Sequence, residues 1–298
     1  MLDPFFPPPA FLQSFITPVS EFFNLRTLPL HIHEIIAAFL LHYTIFEYVA
    51  PFASSKLLPA KYGKLPINSK LRWNIHCASM VQSVTISILT IYTLAFDKER
   101  LNMTSEERIW GYTGAAGLIQ ALACGYFLFD LVAMVRHLDV FGVPMLIHAA
   151  SCFATYSIGF RPICNYYGCV FMLYELSTPF LNIHWFFDKL GMTGTKAQLY
   201  NGLVLLSVFF SARLVWGAYA SLGLYQDVML AWKIRSNTNM PVESEIMKYG
   251  YDRALPLWLI LLYLFGHIAL NTLNIYWFNK MLDAVKKRFI PKSDHKRN

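Results

Sequence analysis

Long apolar stretches recur along almost the whole chain, separated by short segments that hold most of the charged residues and prolines. Seven of these stretches reach the ~20 residues that an α-helix needs to cross the hydrocarbon core of a bilayer. The pattern therefore predicts an all-α fold, a polytopic transmembrane helical bundle of about seven spans. The predicted spans are residues 30–53, 73–96, 111–135, 141–160, 165–187, 199–225 and 255–282.

The fourth and fifth predicted spans are separated only by a tight break at Arg161-Pro162. Proline cannot continue a helix without losing a backbone hydrogen bond. These two segments could therefore form either two full spans or a pair of short or tilted helices.

The composition agrees with a membrane protein. Of the 298 residues, 56% are hydrophobic and 14% are charged, whereas about 25% are charged in an average soluble domain. The net charge of +7 is expected to reflect basic residues that flank helices at an anionic membrane surface, so no nucleic acid partner is predicted. The phosphate-binding pattern G-x-x-x-x-G-K-[ST] and the hydrolase pattern G-x-S-x-G do not occur.

Lysine and arginine residues in the connecting segments predict the orientation. With the N-terminus outside, the inside segments hold 14 basic residues and the outside segments hold 9. The N-glycosylation pattern Asn102-Met-Thr104 then lies outside, and the basic stretch from Lys286 to Arg297 lies inside. We therefore expect a cytosolic C-terminus.

The most informative polar residues lie in the fifth predicted span, in the segment ELSTPFLNIHW at 175–185. Such groups are costly in hydrocarbon unless neighbouring helices satisfy them. Pro179 is expected to kink this helix, free backbone carbonyls and make room for a ligand. Consecutive membrane helices run antiparallel, so counting from the turns places four side chains at one depth in the middle of the bilayer. These are Asp130, His148, Glu175 and Arg213.

Two interpretations of this predicted cluster remain open. In the first, it locks the bundle: Glu175 pairs with Arg213, and Asp130 forms a hydrogen bond with His148. In the second, it borders a cavity in which His148 is a general base or nucleophile, oriented by Asp130 or Glu175, while Arg213 holds an anionic headgroup. The catalytic candidates are His148 and Asp130. The residues predicted for a lipid cavity or buried polar cluster are Asp130, His148, Glu175, Ser177, Thr178, Asn182 and Arg213.

Other polar groups are interpreted as structural. His31, His33 and Glu34 resemble a metal-ligand set, but they lie at the edge of the first predicted span, where an interfacial helix start is expected instead. His267 and Asn274 lie at helical spacing in the last span, which indicates interhelical hydrogen bonds. The five cysteines show no zinc-ligand spacing. Neither a metal nor another cofactor is predicted.

Three segments together carry a resemblance to a known family: GYFLFD at 125–130, LIHAAS at 146–151 and ELSTPFLNIHW at 175–185. They are similar to the TLC domain, and most similar to its lipid-regulator branch. The resemblance extends over residues 69–284. It implies an N-terminal segment with the first transmembrane helix at 1–68 and a basic cytosolic tail at 285–298. The matching positions are Asp130, Glu175, Ser177, Pro179, Asn182 and Trp185.

The chain departs from the ceramide synthases of this family at one position that matters for chemistry. Those enzymes carry two adjacent histidines associated with acyl transfer, whereas here Ile147 precedes His148. The resemblance therefore implies a protein that binds an acyl lipid or sphingolipid within its bundle. Such a protein would affect membrane lipid composition, transport or homeostasis, and the endoplasmic reticulum or Golgi is its expected location.

Two alternative functions remain open. One is an N-acyltransferase similar to the ceramide synthases, with His148 as base or acyl carrier and acyl-CoA as a further partner. The other is a small-molecule transporter. Buried charges permit transport, but no inverted repeat or pair of broken helices indicates it.

Overall fold

A computed structural model describes residues 1–234, 244–250 and 256–289. The described residues form helices joined by short turns, and no β-strand occurs among them. The prediction of an all-α membrane protein is confirmed. The principal helices are α1 (Ala10–Phe23), α2 (Leu28–Leu57), α3 (Ile67–Phe96), α4 (Gly114–Arg136), α5 (Val143–Ile158), α6 (Asn165–Met172), α7 (Thr178–Lys189), α8 (196–234) and α9 (Leu257–Phe289).

Shorter elements connect or interrupt these helices. The short helices are Pro59–Tyr62, Lys98–Leu101, Ser105–Trp110 and Leu138–Phe141. The 3-10 turns are Leu173–Ser177 and Glu245–Met247, and the π-helical turns are Ile45–Val49 within α2 and Phe210–Val215 within α8.

Five segments of the described chain are helical, long and apolar enough to cross a bilayer. They are α2, α3, α8, α9 and the segment Ser105–Arg136, which ends with α4. The fourth predicted span is instead the 16-residue helix α5, which is about 24 Å long and therefore shorter than the ~30 Å hydrocarbon core. The fifth is divided between α6 and α7. Shorter helices are therefore observed in place of two full spans, but there are three of them rather than the pair considered from the sequence.

Polar side chains cap the N-termini of several helices. Thr104 forms a capping box with Glu107, in which each side chain accepts a hydrogen bond from the other residue's backbone N–H. Thr113 caps α4 and Thr195 caps α8 by accepting from a backbone N–H in the first turn. These hydroxyls satisfy donors that have no partner within their own helix.

The helix α4 lies at the centre of the bundle and packs most extensively against α2 and α5. Small residues along it allow close approach, as is common between membrane helices. At Gly125 a Cβ atom would lie 2.8 Å from Ala38 Cβ and closer still to the Ile35 carbonyl oxygen of α2. The contact between α4 and α2 at this level therefore depends on glycine.

Polar and apolar side chains are distributed as a lipid environment requires. Ile88 of α3 and Phe265 of α9 are among the large apolar side chains exposed on the outside of the bundle. Asn74, Gln82 and Thr90 of α3 are buried inside it. This arrangement keeps polar groups out of the hydrocarbon and collects them between the helices.

We expect Gly125→Ala to destabilise the bundle by about 1–3 kcal/mol, the usual cost of overpacking a tight contact. Gly168→Ala on α6 is the matched control, because its Cβ would meet only Tyr156 Cε1 at 3.9 Å. Relief of the glycine penalty should make that variant neutral or more stable by up to about 1 kcal/mol. Thermal unfolding in detergent measures both, and equal stability of the two variants would contradict the packing described here.

Candidate functional site

The chain changes helix type between α6 and α7, at the 3-10 turn Leu173–Ser177. Pro179 follows in the first turn of α7. Because proline lacks an N–H and its ring clashes with the carbonyl four residues earlier, a continuous α-helix cannot pass through this point. The kink expected at Pro179 is therefore a break. In the 3-10 turn before it, the Tyr174 carbonyl accepts a hydrogen bond from the Ser177 hydroxyl and another from a side chain of a different helix.

That side chain is Arg213, which lies in the π-helical turn of α8 and is only 7% exposed. Its Nε donates to the Tyr174 carbonyl at 2.9 Å and to Ser177 Oγ at 3.0 Å. Nη1 donates to Asn274 Oδ1 at 3.1 Å, and Nη2 donates to Thr178 Oγ1 at 3.2 Å. One guanidinium thus joins the 3-10 turn, α7 and α9 to α8.

Glu175 balances the charge of this guanidinium. Its Oε1 lies 3.7 Å from Arg213 Nη2, so the pairing expected from their common depth is present. At this distance the two groups form an ion pair without a direct hydrogen bond. Removing one member of a buried pair leaves an uncompensated charge. The pair therefore locks the bundle, as the first interpretation of the cluster requires.

Residues of α9 take part in interhelical hydrogen bonds, as their helical spacing indicated. Asn274 accepts from Arg213, as described above, and His267 Nε2 lies 2.7 Å from Ser221 Oγ of α8. Both contacts fix α9 against α8 and leave the more exposed sides of α9 to the lipid.

A cavity of about 540 Å³, the central cavity, lies among α3, α4, α5, α7, α8 and α9. All seven residues predicted for the polar cluster line it. Its volume lies within the ~300–1,000 Å³ of small-molecule sites, which combine mostly apolar walls with a few placed polar groups. Its apolar walls include Leu181, Leu203, Leu206, Met281 and Val285.

A smaller cavity of about 100 Å³ shares part of this lining. His148, Glu175 and Arg213 border both cavities. The polar cluster therefore separates a small inner space from the larger one.

The two catalytic candidates both face the central cavity, but they do not form a catalytic pair. The His148 ring lies 3.8 Å from Cys152 Sγ, one turn further along α5, and meets Trp277 edge-on with 5.3 Å between centroids. Asp130 is 4% exposed. Among the described residues no hydrogen bond joins His148 to Asp130 or to Glu175, so the bond expected between Asp130 and His148 does not form. The ring lacks the orienting partner that an activated base has.

One polar network at the cavity joins Asn182 to His76 and Ser79, two residues that the sequence did not predict for the site. His76 Nδ1 of α3 lies 2.7 Å from Asn182 Oδ1, and Asn182 Nδ2 donates to Ser79 Oγ at 3.2 Å. The His76 ring stacks on Trp185 with 4.3 Å between centroids. The polar residues at 74, 76 and 79 in an otherwise apolar predicted span were the signal that could have identified this network.

Comparison with known proteins gives a consistent result. The TLC domain profile matches residues 72–283. An uncharacterised TLC domain-containing protein of Schizosaccharomyces pombe is 34% identical, over 94% of this chain and 87% of its own length. Topoisomerase I damage affected protein 4 of Saccharomyces cerevisiae is 30% identical, over 86% of this chain and 85% of that protein. TLC domain-containing protein 4 of Homo sapiens is 31% identical, over 57% of this chain and 64% of that protein.

We expect Arg213→Met to destabilise the protein by roughly 3–5 kcal/mol, because it leaves the Glu175 charge buried without its partner. Glu175→Gln should cost less, since Arg213 keeps its neutral acceptors. The double variant should recover part of the Arg213→Met loss in detergent melting.

The matched control is the ion pair between Arg136 and Glu47, with 3.2 Å between Nη1 and Oε1 and an arginine side chain 51% exposed. Arg136→Met and Glu47→Gln should change stability by no more than about 1 kcal/mol and should be nearly additive. Additive losses at Arg213 and Glu175 would show that these two residues are not energetically coupled.

Proposed function

Because this chain belongs to the TLC domain family and has the helices of an integral membrane protein, we propose that it binds an acyl lipid in the central cavity. Through this binding it affects the composition, transport or homeostasis of membrane lipids in the endoplasmic reticulum or Golgi. The observation that carries the proposal is Asp130, a buried carboxylate that lines the cavity and has no hydrogen bond to any other described residue.

A carboxylate that faces a cavity and receives no donor from the protein can accept hydrogen bonds from a ligand there. Hydroxyl and amide groups of a lipid are suitable donors, and a sphingolipid carries both. His148 lines the same cavity and can donate to or accept from a polar group of the ligand. The ligand class that fits best is therefore an acyl lipid with a hydroxyl or amide group next to its hydrocarbon chain.

The shape of the central cavity supports a chain-like ligand. Its lining extends along α8 from Gln198 to Arg213, which corresponds to about 22 Å at 1.5 Å per residue. This length covers most of the ~30 Å hydrocarbon core. Apolar walls along that length can hold an acyl chain, while the polar cluster receives its polar group.

A second cation, Lys280 of α9, also lines the cavity. It lies six residues after Asn274 on this helix, which is about 9 Å along the helix axis. The donors of Arg213 are already bonded to protein acceptors, as described above, so that guanidinium serves the scaffold. Lys280 is thus the better candidate for contact with an anionic headgroup, in place of the role first considered for Arg213.

Membrane orientation follows from the same proposal. The C-terminal part of α9 lines the cavity as far as Val285, and the excess of basic residues in the segments predicted inside favours the cytosol for this end. The C-terminus would then be cytosolic. The basic tail predicted at 285–298 lies largely outside the described residues, and residues 290–298 lie wholly outside them.

Acyl transfer is supported less well than binding. A histidine that acts as a base needs its proton acceptor aligned by a second group. His148 instead contacts Cys152, Phe127 and Trp277. We therefore do not propose acyl-CoA as a partner. Its presence in the purified protein would favour the enzyme.

We expect mass spectrometry of the purified protein to detect a bound acyl lipid. Gly202→Leu should remove most of it, because Gly202 lines the cavity and a leucine there occupies the space between α7 and α8. Ser207→Leu is the matched control, since it adds a similar side chain at an exposed position of the same helix outside the lining. Equal lipid content in the two variants would refute binding in this cavity, and co-purified acyl-CoA would favour the enzyme.

A second expectation concerns His148→Asn. Asparagine keeps a donor and an acceptor but cannot take up a proton near neutral pH. A lipid-binding protein should therefore retain its bound lipid and its cellular lipid phenotype in this variant. An acyltransferase should remain folded and lipid-loaded yet lose at least ~10²-fold in turnover, the low end for a general base. Loss of phenotype in a stable, lipid-loaded variant would place catalysis ahead of binding.

A further inference from the structure

A second buried polar cluster lies near the start of α2, away from the central cavity. It consists of Asp3, His31, His33 and Glu34, and we call it the N-terminal cluster. His31 Nδ1 lies 2.7 Å from Glu34 Oε2 and 3.4 Å from Asp3 Oδ2. The ligand atoms of Asp3, His31 and Glu34 all lie within 4.8 Å of one another. His31 and Glu34 are each only 1% exposed.

The surrounding residues hold His31 in one orientation. Its Nε2 lies 2.6 Å from Tyr112 Oη, which leaves Nδ1 facing the two carboxylates. Gly117 of α4 makes room for this arrangement, because a Cβ there would lie 2.7 Å from the Tyr112 ring and 2.8 Å from His31 Cε1. A metal-binding histidine usually has its other ring nitrogen fixed by such an outer hydrogen bond.

Three buried atoms of the cluster have no hydrogen-bond partner among the described residues: Glu34 Oε1, His33 Nε2 and His33 Nδ1. His33 Nε2 lies 3.7 Å from Glu34 Oε1. Buried polar atoms are rarely left without a partner, so each such atom calls for an explanation. A ligand bound between Glu34 Oε1 and His33 Nε2 would give both of these atoms a partner.

Charge indicates the sign of that ligand. Two carboxylates share the cluster with two imidazoles, and no lysine or arginine side chain is paired with either carboxylate among the described ion pairs. A divalent cation would balance two carboxylate charges while the imidazoles remain neutral ligands. Imidazole and carboxylate ligands together suit first-row transition-metal ions such as zinc.

We propose that the N-terminal cluster binds a divalent transition-metal ion through Asp3, His31 Nδ1 and Glu34, with His33 offering a fourth ligand. Zinc bonds of ~2.0–2.2 Å place tetrahedral ligands roughly 3.3–3.6 Å apart. The separation between His31 and Asp3 already matches, and the separation between His31 and Glu34 needs to widen by less than about 1 Å. The ion would fasten the residues before α1 to α2 and α4.

This site is independent of the proposed lipid function, because it shares no lining residue with either cavity. From the sequence, His31, His33 and Glu34 are interpreted as an interfacial helix start, and Asp3 is not considered with them. That residue lies 28 positions before His31 and reaches it only in the folded chain. The alternative without a metal is a protonated His31 paired with both carboxylates. The experiment must distinguish this ion pairing from metal binding.

The full-length protein, purified in detergent, is stripped with chelator, loaded with zinc, desalted and analysed by plasma mass spectrometry. We expect about one zinc per chain and a higher Tm after loading. Asp3→Asn should weaken zinc binding at least ~10-fold. Because Asp3 is partly exposed and lies outside the helices, this variant should keep the Tm of the metal-free bundle.

His42→Gln is the matched control, because His42 is buried on the same helix and its Nδ1 lies 2.7 Å from the Ala38 carbonyl. It should bind zinc as the unmodified protein does. Zinc retention in Asp3→Asn equal to that of the unmodified protein would overturn the site. A folded, unmodified protein that takes up no zinc and shows no change in Tm would instead identify an imidazolium paired with two carboxylates.

Discussion

The central arrangement of this protein depends on the burial of one guanidinium. A charged side chain near the middle of a bilayer costs several kcal/mol unless protein groups surround it. Here Arg213 is surrounded by a backbone carbonyl, two hydroxyls, an amide and a carboxylate. These acceptors come from the 3-10 turn, α7 and α9. The cost of burying one cation therefore fixes three elements against α8.

Irregular helical turns make this possible. In lipid every backbone polar group needs a partner, so a break in a helix is tolerated only where protein covers it. The 3-10 turn at Leu173–Ser177 supplies the carbonyl that Arg213 uses, and the π-helical turn at Phe210–Val215 positions Arg213 itself. The same departures from regular helix border the space that forms the central cavity. Polar cluster and cavity thus have a common structural origin.

The carboxylates of the two buried polar clusters have different partners for their charge. Glu175 has a permanent cation beside it, and this pair stabilises the bundle without an added ligand. In the N-terminal cluster the ion-pair partners of Asp3 and Glu34 are titratable imidazoles, and Asp3 Oδ1 also accepts a hydrogen bond from the Phe5 N–H. In the central cavity Asp130 has no donor from the described chain. The groups that the protein itself leaves unsatisfied are therefore the ones that point to ligands, a lipid in one place and a metal ion in the other.

The sequence alone determined the membrane class, the TLC family and seven polar side chains that line the central cavity. Hydrophobic length, helix periodicity and antiparallel order are local or additive properties, so they can be counted along the chain. The ion pair between Glu175 and Arg213 followed from such counting, because both residues lie at fixed distances from one connecting turn.

Tertiary structure decided the contacts that connect distant segments. Between α6 and α7 the Tyr174 carbonyl accepts a hydrogen bond from Arg213 of α8, a contact that counting along 165–189 does not reveal. His76 meets Asn182 across 106 positions, and Asp3 reaches His31 only because the first residues fold back onto α2 and α4. Hydrogen bonds and ion pairs act over a few ångströms. A sequence specifies which groups need partners, but only the packed bundle determines which groups come within that range.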